Sequence, residues 1–103
     1  MFRIGDYPEP IAFDWDEGNR DKNLKHDVES WECEQVFFNE PLVILDDPKH
    51  SIAEHRLAAL GRTDAGRTLV IVFTMREERL RVISARDMNR KERQYYEQAG
   101  QED

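Results

Sequence analysis

Hydrophobic residues in the second half of the chain follow the two-residue period of β-strands. Residues 68–75 are apolar on both alternating faces, which predicts a central strand covered on both sides. Residues 79–86 alternate between arginines and aliphatic side chains, which predicts a strand with one more exposed face. Leu42–Leu45 is a short apolar run closed by Asp46-Asp47-Pro48, as expected of a strand followed by a turn.

The segment from Ile52 to Leu60 allows two interpretations. Its composition favours a helix, because alanine and leucine have high helix propensity. However, it ends at Gly61 and a loop over 63–66 precedes the next strand, so it also fits one arm of a hairpin. The residues alone leave both open.

Helix-start signals occur in three segments. Asp14 or Asp16 can cap a helix that runs to about His26, and Ser30 can cap a second helix that stops before Pro41. In that second helix, residues 32 and 34 place carboxylates in the first turn. Near the C-terminus, the pair at positions 89 and 92 is a capping-box signal for a helix through about residue 99.

The order of these elements predicts an α+β fold. It consists of N-terminal helices, a four-stranded antiparallel meander and a C-terminal helix. A chain of 103 residues supports one modest core, so we expect a single domain over 1–103, with an extended lead-in over 1–10, a short strand at Ile11–Phe13 and a tail over 100–103. The large aromatic residues expected in that core are Trp15, Trp31, Phe37 and Phe38.

Charge is distributed unevenly along the chain. The net charge is −7, which argues against nucleic-acid binding by the chain as a whole. Residues 56–93 nevertheless contain nine arginines and one lysine against five acidic residues. Arginine suits bidentate recognition of phosphate, whereas the simpler interpretation of this stretch is a solvated surface rich in salt bridges.

Several function classes lack their usual motifs. There is no glycine-rich phosphate loop, CxxC pair, HExxH or Gly-x-Ser-x-Gly sequence, and the three histidines, His26, His50 and His55, lack the spacing of a known ligand pair. We therefore expect no cofactor and no metal. The chain has no apolar run of membrane-helix length, no export segment at its start and one cysteine, so we expect a cytoplasmic protein without membrane contact.

Two groups of residues could take part in phosphate chemistry. Lys25-His26 at a helix end places a fixed cation beside an imidazole, although the same charges could simply complement the helix dipole. On a strand, Glu54 and Arg56 would share one face and His55 would point to the other. Beside the strand over 79–86, that carboxylate among guanidiniums would suit RNA cleavage by 2′-hydroxyl attack; a cross-strand salt bridge is the alternative.

The order and spacing of short motifs over residues 11–97 resemble the BrnT family of toxins. The matching positions are Phe13-Asp14-Trp15-Asp16, Asn23, Lys25-His26, Val28, Val36-Phe37-Phe38, Pro41, Asp47, His50, Glu54-x-Arg56, Leu60-Gly61-Arg62-Thr63, Gly66-Arg67, Val72-Phe73-Thr74, Arg81-Val82-Ile83-Ser84-Ala85-Arg86, Glu92-Arg93 and Tyr96. Where the family often has glycine after the Lys-His pair, this chain has Asp27.

The resemblance implies a RelE-like fold and a metal-independent endoribonuclease toxin of a type II toxin–antitoxin pair, which arrests translation by cutting RNA. It also implies a BrnA-like ribbon-helix-helix antitoxin as partner, and contact with operator DNA only through that antitoxin. For residues 54–62, the resemblance favours the strand interpretation over the helix. The alternative is a catalytically inactive family member that serves as a protein-binding module in a repressor complex.

Carried over by position, the candidate catalytic residues are Lys25, His26, Glu54, Arg56, Arg81 and Arg86. The expected roles are phosphate stabilisation by Arg56 and Arg81 and proton transfer by His26 or Glu54.

Overall fold

The computed structural model describes residues 12–47 and 54–101, and all structural statements refer to them. The predicted lead-in over 1–10, the residue His50 and the end of the tail lie outside these ranges. In chain order, the described elements are β1 (Ala12–Phe13), α1 (Glu17–Leu24), α2 (Ser30–Val36), β2 (Val43–Asp46), β3 (Leu57–Arg62), β4 (Thr68–Arg76), β5 (Arg79–Asp87) and α3 (Arg90–Gln101).

The strands form one mixed sheet in the order β1-β5-β4-β3-β2. The antiparallel meander of β2 to β5 confirms the α+β prediction, and the sheet differs from that prediction in one detail: the short strand β1 joins it as a fifth strand, parallel to β5. Ala12 pairs with Arg79 and Phe13 with Leu80. A two-residue strand carries no periodic signal, so its place in the sheet depends on the tertiary fold.

Each face of the sheet is covered by different helices. On the α1/α2 face, α1 and α2 bury inward-facing side chains such as Ala59, Ile71, Phe73 and Val82. On the opposite face, the α3 face, α3 packs Tyr96 and Ala99 against Leu60 and Val70. Because α3 reaches only part of that face, the rest of it carries half-buried and polar side chains.

The ambiguous segment forms a strand from Leu57 onwards. Pairing on both sides, with β2 and with β4, outweighs its helix propensity. Gly61 lies where a Cβ atom would come within 2.6 Å of the Val36 side chain, so a glycine lets α2 pack closely on β3.

Two local predictions for α2 are wrong. Ser30 is the first helical residue rather than the cap; Glu29 occupies the cap position, and its backbone N–H donates a hydrogen bond to Glu32 Oε1. Trp31 and Phe38 were expected in the core but are 57% and 69% exposed. Since α2 buries Cys33 and Val36 against the sheet, its 3.6-residue period turns Trp31 towards solvent, whereas Phe38 lies beyond the end of the helix.

No helix within the described ranges is long and apolar enough to cross a membrane.

Candidate active site

The segment 54–56 lies at the part of the α3 face that α3 does not cover, which we call the open half of that face. The hydroxyl of Thr74 on β4 donates a hydrogen bond to the His55 carbonyl at 2.7 Å, and the Asp47 N–H donates to the Arg56 carbonyl at 3.1 Å. These bonds hold the segment extended at the start of β3. His55 reaches Asp46 with its Nε2 atom at 2.9 Å, whereas Glu54 reaches β4 in the other direction.

Glu54 and Arg76 form a two-point ion pair. Arg76 donates from Nη2 to Oε1 at 3.0 Å and from Nε to Oε2 at 3.3 Å. The hydrogen bonds from Arg76, with the charges of Arg76, Arg56 and Arg81, hold the pKa of Glu54 below its ordinary value. Glu54 is therefore a carboxylate at neutral pH and lies within electrostatic range of three guanidinium groups. We call Glu54, Arg56, Arg76 and Arg81 the Glu54 cluster.

Arg81 reaches the cluster from β5 and is held by two carboxylates. Its Nη2 lies 2.8 Å from Asp16 Oδ2 and its Nη1 lies 3.5 Å from Asp14 Oδ1. The N–H of Asn19, with Arg81, holds the pKa of Asp16 below its ordinary value. With a side chain only 17% exposed, Arg81 is fixed in place but partly neutralised.

The strand arrangement that relates Glu54 and Arg56 to Arg81 differs from the predicted one, in which their two strands lie side by side. β3 does not pair with β5, because β4 lies between them. The register places Thr74 opposite Arg81 on the α3 face, so the side chains of three strands share one surface. Arg76, at the end of β4, joins this surface through its ion pair with Glu54. The sequence did not single it out, because its approach to Glu54 depends on the register of the strands.

Arg86 lies further along β5 and is bound to α3. Its two terminal nitrogens contact the two carboxylate oxygens of Glu92 at 2.7 and 2.8 Å, and Glu92 also accepts the Asn89 N–H. Arg93 donates to the Met88 carbonyl at 2.8 Å. These contacts of Arg86, Glu92 and Arg93 fasten α3 to the end of the sheet.

Lys25 and His26 lie in the turn that ends α1. The N–H of Val28 bonds to the Asn23 carbonyl and that of Asp27 to the Leu24 carbonyl, which is the hydrogen-bond pattern of a Schellman cap. Asp27 has φ 57°, the left-handed conformation that favours glycine and that aspartate tolerates.

Arg67 holds this turn against the C-terminal end of β5, at Asp87. It bonds to the Asp27 carbonyl at 2.7 Å, to the His26 carbonyl at 3.4 Å and to the carboxylate of Asp87 at 2.7 and 3.0 Å. The hydrogen bond with Asp87 raises the pKa of Arg67 above its ordinary value. Arg81 is six residues from Asp87, about 20 Å along a strand. The structure therefore places Lys25 and His26 away from the Glu54 cluster.

Other reactive groups offer no second centre among the described residues. No group of three or more His, Cys, Asp or Glu side chains is arranged to hold a metal ion within 12–47 and 54–101. Cys33 lies on the buried side of α2, and burial raises the pKa of its thiol to about 12. A thiol in that environment is a poor nucleophile.

Comparison with known proteins adds one finding. A family model described as a ribonuclease toxin, BrnT, of a type II toxin–antitoxin system matches residues 15–92. The matched segment contains all six candidate residues, and both the Glu54 cluster and the turn held by Arg67 lie within it. No curated protein matches the chain significantly.

Proposed function

The chain belongs to the BrnT family of ribonuclease toxins of type II toxin–antitoxin systems, and from that premise we propose that it is an endoribonuclease that cuts RNA at the Glu54 cluster without a metal ion. The observation that carries this proposal is the two-point ion pair of Glu54 with Arg76 on the sheet face that also carries Arg81. Guanidiniums stabilise the charge that develops on a phosphorane, and a carboxylate accepts a proton.

In this mechanism Glu54 is the general base. Its carboxylate takes the proton of a ribose 2′-hydroxyl, the 2′-oxygen attacks the adjacent phosphorus and the bond to the 5′-oxygen breaks. Arg56 and Arg81 bind the non-bridging phosphate oxygens, and the 5′-oxygen takes a proton from water. The products are a 2′,3′-cyclic phosphate and a 5′-hydroxyl end.

The ion pair with Arg76 is compatible with this role. Each carboxylate oxygen has two acceptor sites, so Glu54 can receive a 2′-hydroxyl while it holds Arg76. The lowered pKa keeps the group ionised at neutral pH, at some cost in basicity. Because Lys25 and His26 belong to the turn held at the other end of β5, we assign proton transfer to Glu54 rather than to His26.

A second candidate function is favoured by charge. The net charge is −7 and Arg81 is already paired with Asp14 and Asp16, so approach to an anionic RNA is less favourable than in a basic toxin. A family member without cleavage activity would serve as a protein-binding module in a repressor complex with its antitoxin.

The partner in either case is an antitoxin, as in other type II pairs. We propose a BrnA-like protein with a ribbon-helix-helix domain, through which the complex would contact operator DNA. Cleavage of RNA by the free toxin would arrest translation, and the bound antitoxin would prevent it. Co-purification with the product of a neighbouring reading frame of that type would support this assignment; a neighbouring protein of another fold that binds and neutralises the chain would overturn it.

The decisive variant is Glu54→Gln. Purified protein free of antitoxin is incubated with RNA in the presence of EDTA, and the cleaved ends are analysed. We expect 2′,3′-cyclic phosphate ends from the wild type and a rate about 10²–10⁴-fold lower for Glu54→Gln. Glu78→Gln, an exposed carboxylate in the β4–β5 turn, is the matched control and should retain full activity.

Three results would contradict the proposal. Cleavage that is lost in EDTA would exclude the metal-independent reaction, and a fully active Glu54→Gln variant would exclude Glu54 as the base. A folded wild type that cleaves neither free RNA nor RNA on ribosomes would favour the protein-binding module.

A further inference from the structure

A groove of about 430 Å³ lies between α3 and the sheet. Leu60 and Val70 form its deep end, and Ala58 and Val72 form its shallow end. Tyr95, whose side chain is 42% exposed, forms its α3 wall. The volume is in the range of small-molecule sites and suits one flat ring system rather than a helix or a duplex.

The shallow end of the groove is formed by strand residues two positions from the Glu54 cluster, although no residue of the cluster lines the groove. Ala58 follows Arg56 by two residues on the same face of β3, a distance of about 7 Å along a strand. Val72 likewise precedes Thr74, which lies opposite Arg81. A chain whose phosphate is held by the two arginines would therefore pass over the shallow end of the groove.

The chemistry of the walls fits a nucleotide. Unpaired bases are recognised by stacking on aromatic side chains and by apolar contact, while their phosphates are held by cations. The groove has an apolar floor and an aromatic wall, and Lys91 lies one helical turn before Tyr95 at its rim. Arg86 and Glu92 also line the rim, where they form an ion pair with each other.

We propose that this groove is a nucleobase subsite, which binds one unstacked base of the RNA next to the phosphate held by the Glu54 cluster. The Tyr95 ring lies against the base, and the Lys91 ammonium group attracts the neighbouring phosphate. The assignment rests on the proposed ribonuclease function and deepens it, because it names the part of the chain that selects single-stranded RNA and contributes to sequence preference.

The first test separates binding from chemistry. Fluorescence anisotropy measures the affinity for a labelled single-stranded oligonucleotide whose 2′-hydroxyls are methylated, so that it cannot be cleaved. Loss of a stacking ring weakens nucleic-acid binding by about 5–150-fold, and we expect a loss in this range for Tyr95→Ala. Tyr95→Phe keeps the ring and should bind nearly as the wild type does.

Two further variants control for a general surface effect. Trp31→Ala removes an exposed aromatic side chain from α2, which packs on the other side of the sheet, and should leave affinity unchanged. Ala58→Met fills the groove without altering Tyr95, and it should weaken binding as Tyr95→Ala does. Circular dichroism verifies that all variants are folded.

Cleavage kinetics supply the second readout. Tyr95→Ala should raise KM by about tenfold and leave kcat within about threefold, since stacking contributes to binding in the ground state as well. It should also reduce the discrimination among RNAs that differ only at the nucleotides flanking the cut.

The outcomes separate the two proposals. If the wild type cleaves RNA and Tyr95→Ala matches Trp31→Ala in affinity, KM and sequence preference, the subsite is wrong while the ribonuclease function stands. If the wild type cleaves nothing but binds the methylated RNA in a Tyr95-dependent way, the subsite stands and the catalytic proposal fails. A groove whose variants lose only antitoxin binding would belong to a protein partner and would overturn the subsite.

Discussion

The two faces of the sheet differ in how completely helices cover them. On the α1/α2 face, residues such as Ile71 and Phe73 are almost fully buried and no candidate for catalysis projects from the described strands. On the α3 face, the smaller apolar cluster is the one that α3 contacts, and the rest of the face carries the Glu54 cluster. Alternate residues of the same strands therefore stabilise the fold on one side and supply chemistry on the other.

Because of this difference, we expect the α1/α2 face to contribute most of the stability of the fold. Apolar burial is the main favourable term in folding, and the larger of the two buried clusters is on the α1/α2 face. The open half of the α3 face is held by ion pairs, which contribute little when exposed to solvent. Substitutions should therefore separate into those that unfold the protein and those that inactivate it.

The largest expected effect is on stability at the α1/α2 face. Phe73→Ala removes a ring that is 1% exposed and should lower the free energy of unfolding by about 3–5 kcal/mol. Val72→Ala, the adjacent half-buried residue on the α3 face, should cost about 1 kcal/mol. Urea unfolding measures both. Equal losses at the two positions would contradict the assignment of stability to one face.

A smaller effect is expected where α2 packs on β3. The methyl group of Gly61→Ala would lie 2.6 Å from the Val36 side chain, so overpacking should cost about 1–3 kcal/mol. Val36→Ala makes room for that methyl group. In a double-mutant cycle measured by urea unfolding, the added cost of Gly61→Ala should therefore fall in the Val36→Ala background; an unchanged cost would mean that the close contact is absent.

The smallest effect concerns the ion pair that fastens α3. The hydrogen bond from Arg86 holds the pKa of Glu92 below its ordinary value, so the stabilisation is present above the unfolded-state pKa, about 4.3, and is lost as the pH falls through the folded-state pKa. Glu92→Gln should cost about 0.2–1 kcal/mol at pH 7 and less at pH 3.5.

Urea unfolding at both pH values measures this dependence. Glu97→Gln on the exposed side of α3 is the control and should parallel the wild type at both. A cost of Glu92→Gln that grows in acid would reverse the predicted sign.

The fold could be predicted from the sequence where periodicity is long. β4 and β5 have nine residues each, the first a continuous apolar run and the second an alternation of arginine and aliphatic residues, whereas β1 has two residues and its parallel pairing with β5 depends on tertiary contacts. Trp31 and Phe38 were expected in the core because large aromatic residues are usually buried, but Trp31 lies on the side of α2 away from the sheet and Phe38 lies beyond the end of that helix.

The candidate site was predictable only in part. Glu54, Arg56 and Arg81 were singled out, the first two from their spacing and all three from the family resemblance, and the structure brings them together. Arg76 was missed, since its approach to Glu54 depends on the register of β3 and β4. The resemblance also included Lys25 and His26, which the structure places at the turn held by Arg67.

The most direct test of the account compares one residue from each region. Arg56→Ala removes a guanidinium from the Glu54 cluster, and His26→Ala removes the imidazole from the turn at the other end of β5. Under single-turnover conditions with antitoxin-free protein, we expect Arg56→Ala to cut RNA about 10²–10³-fold more slowly and His26→Ala to match the wild type. A slow His26→Ala variant beside an active Arg56→Ala variant would place the chemistry in the other region and contradict the account.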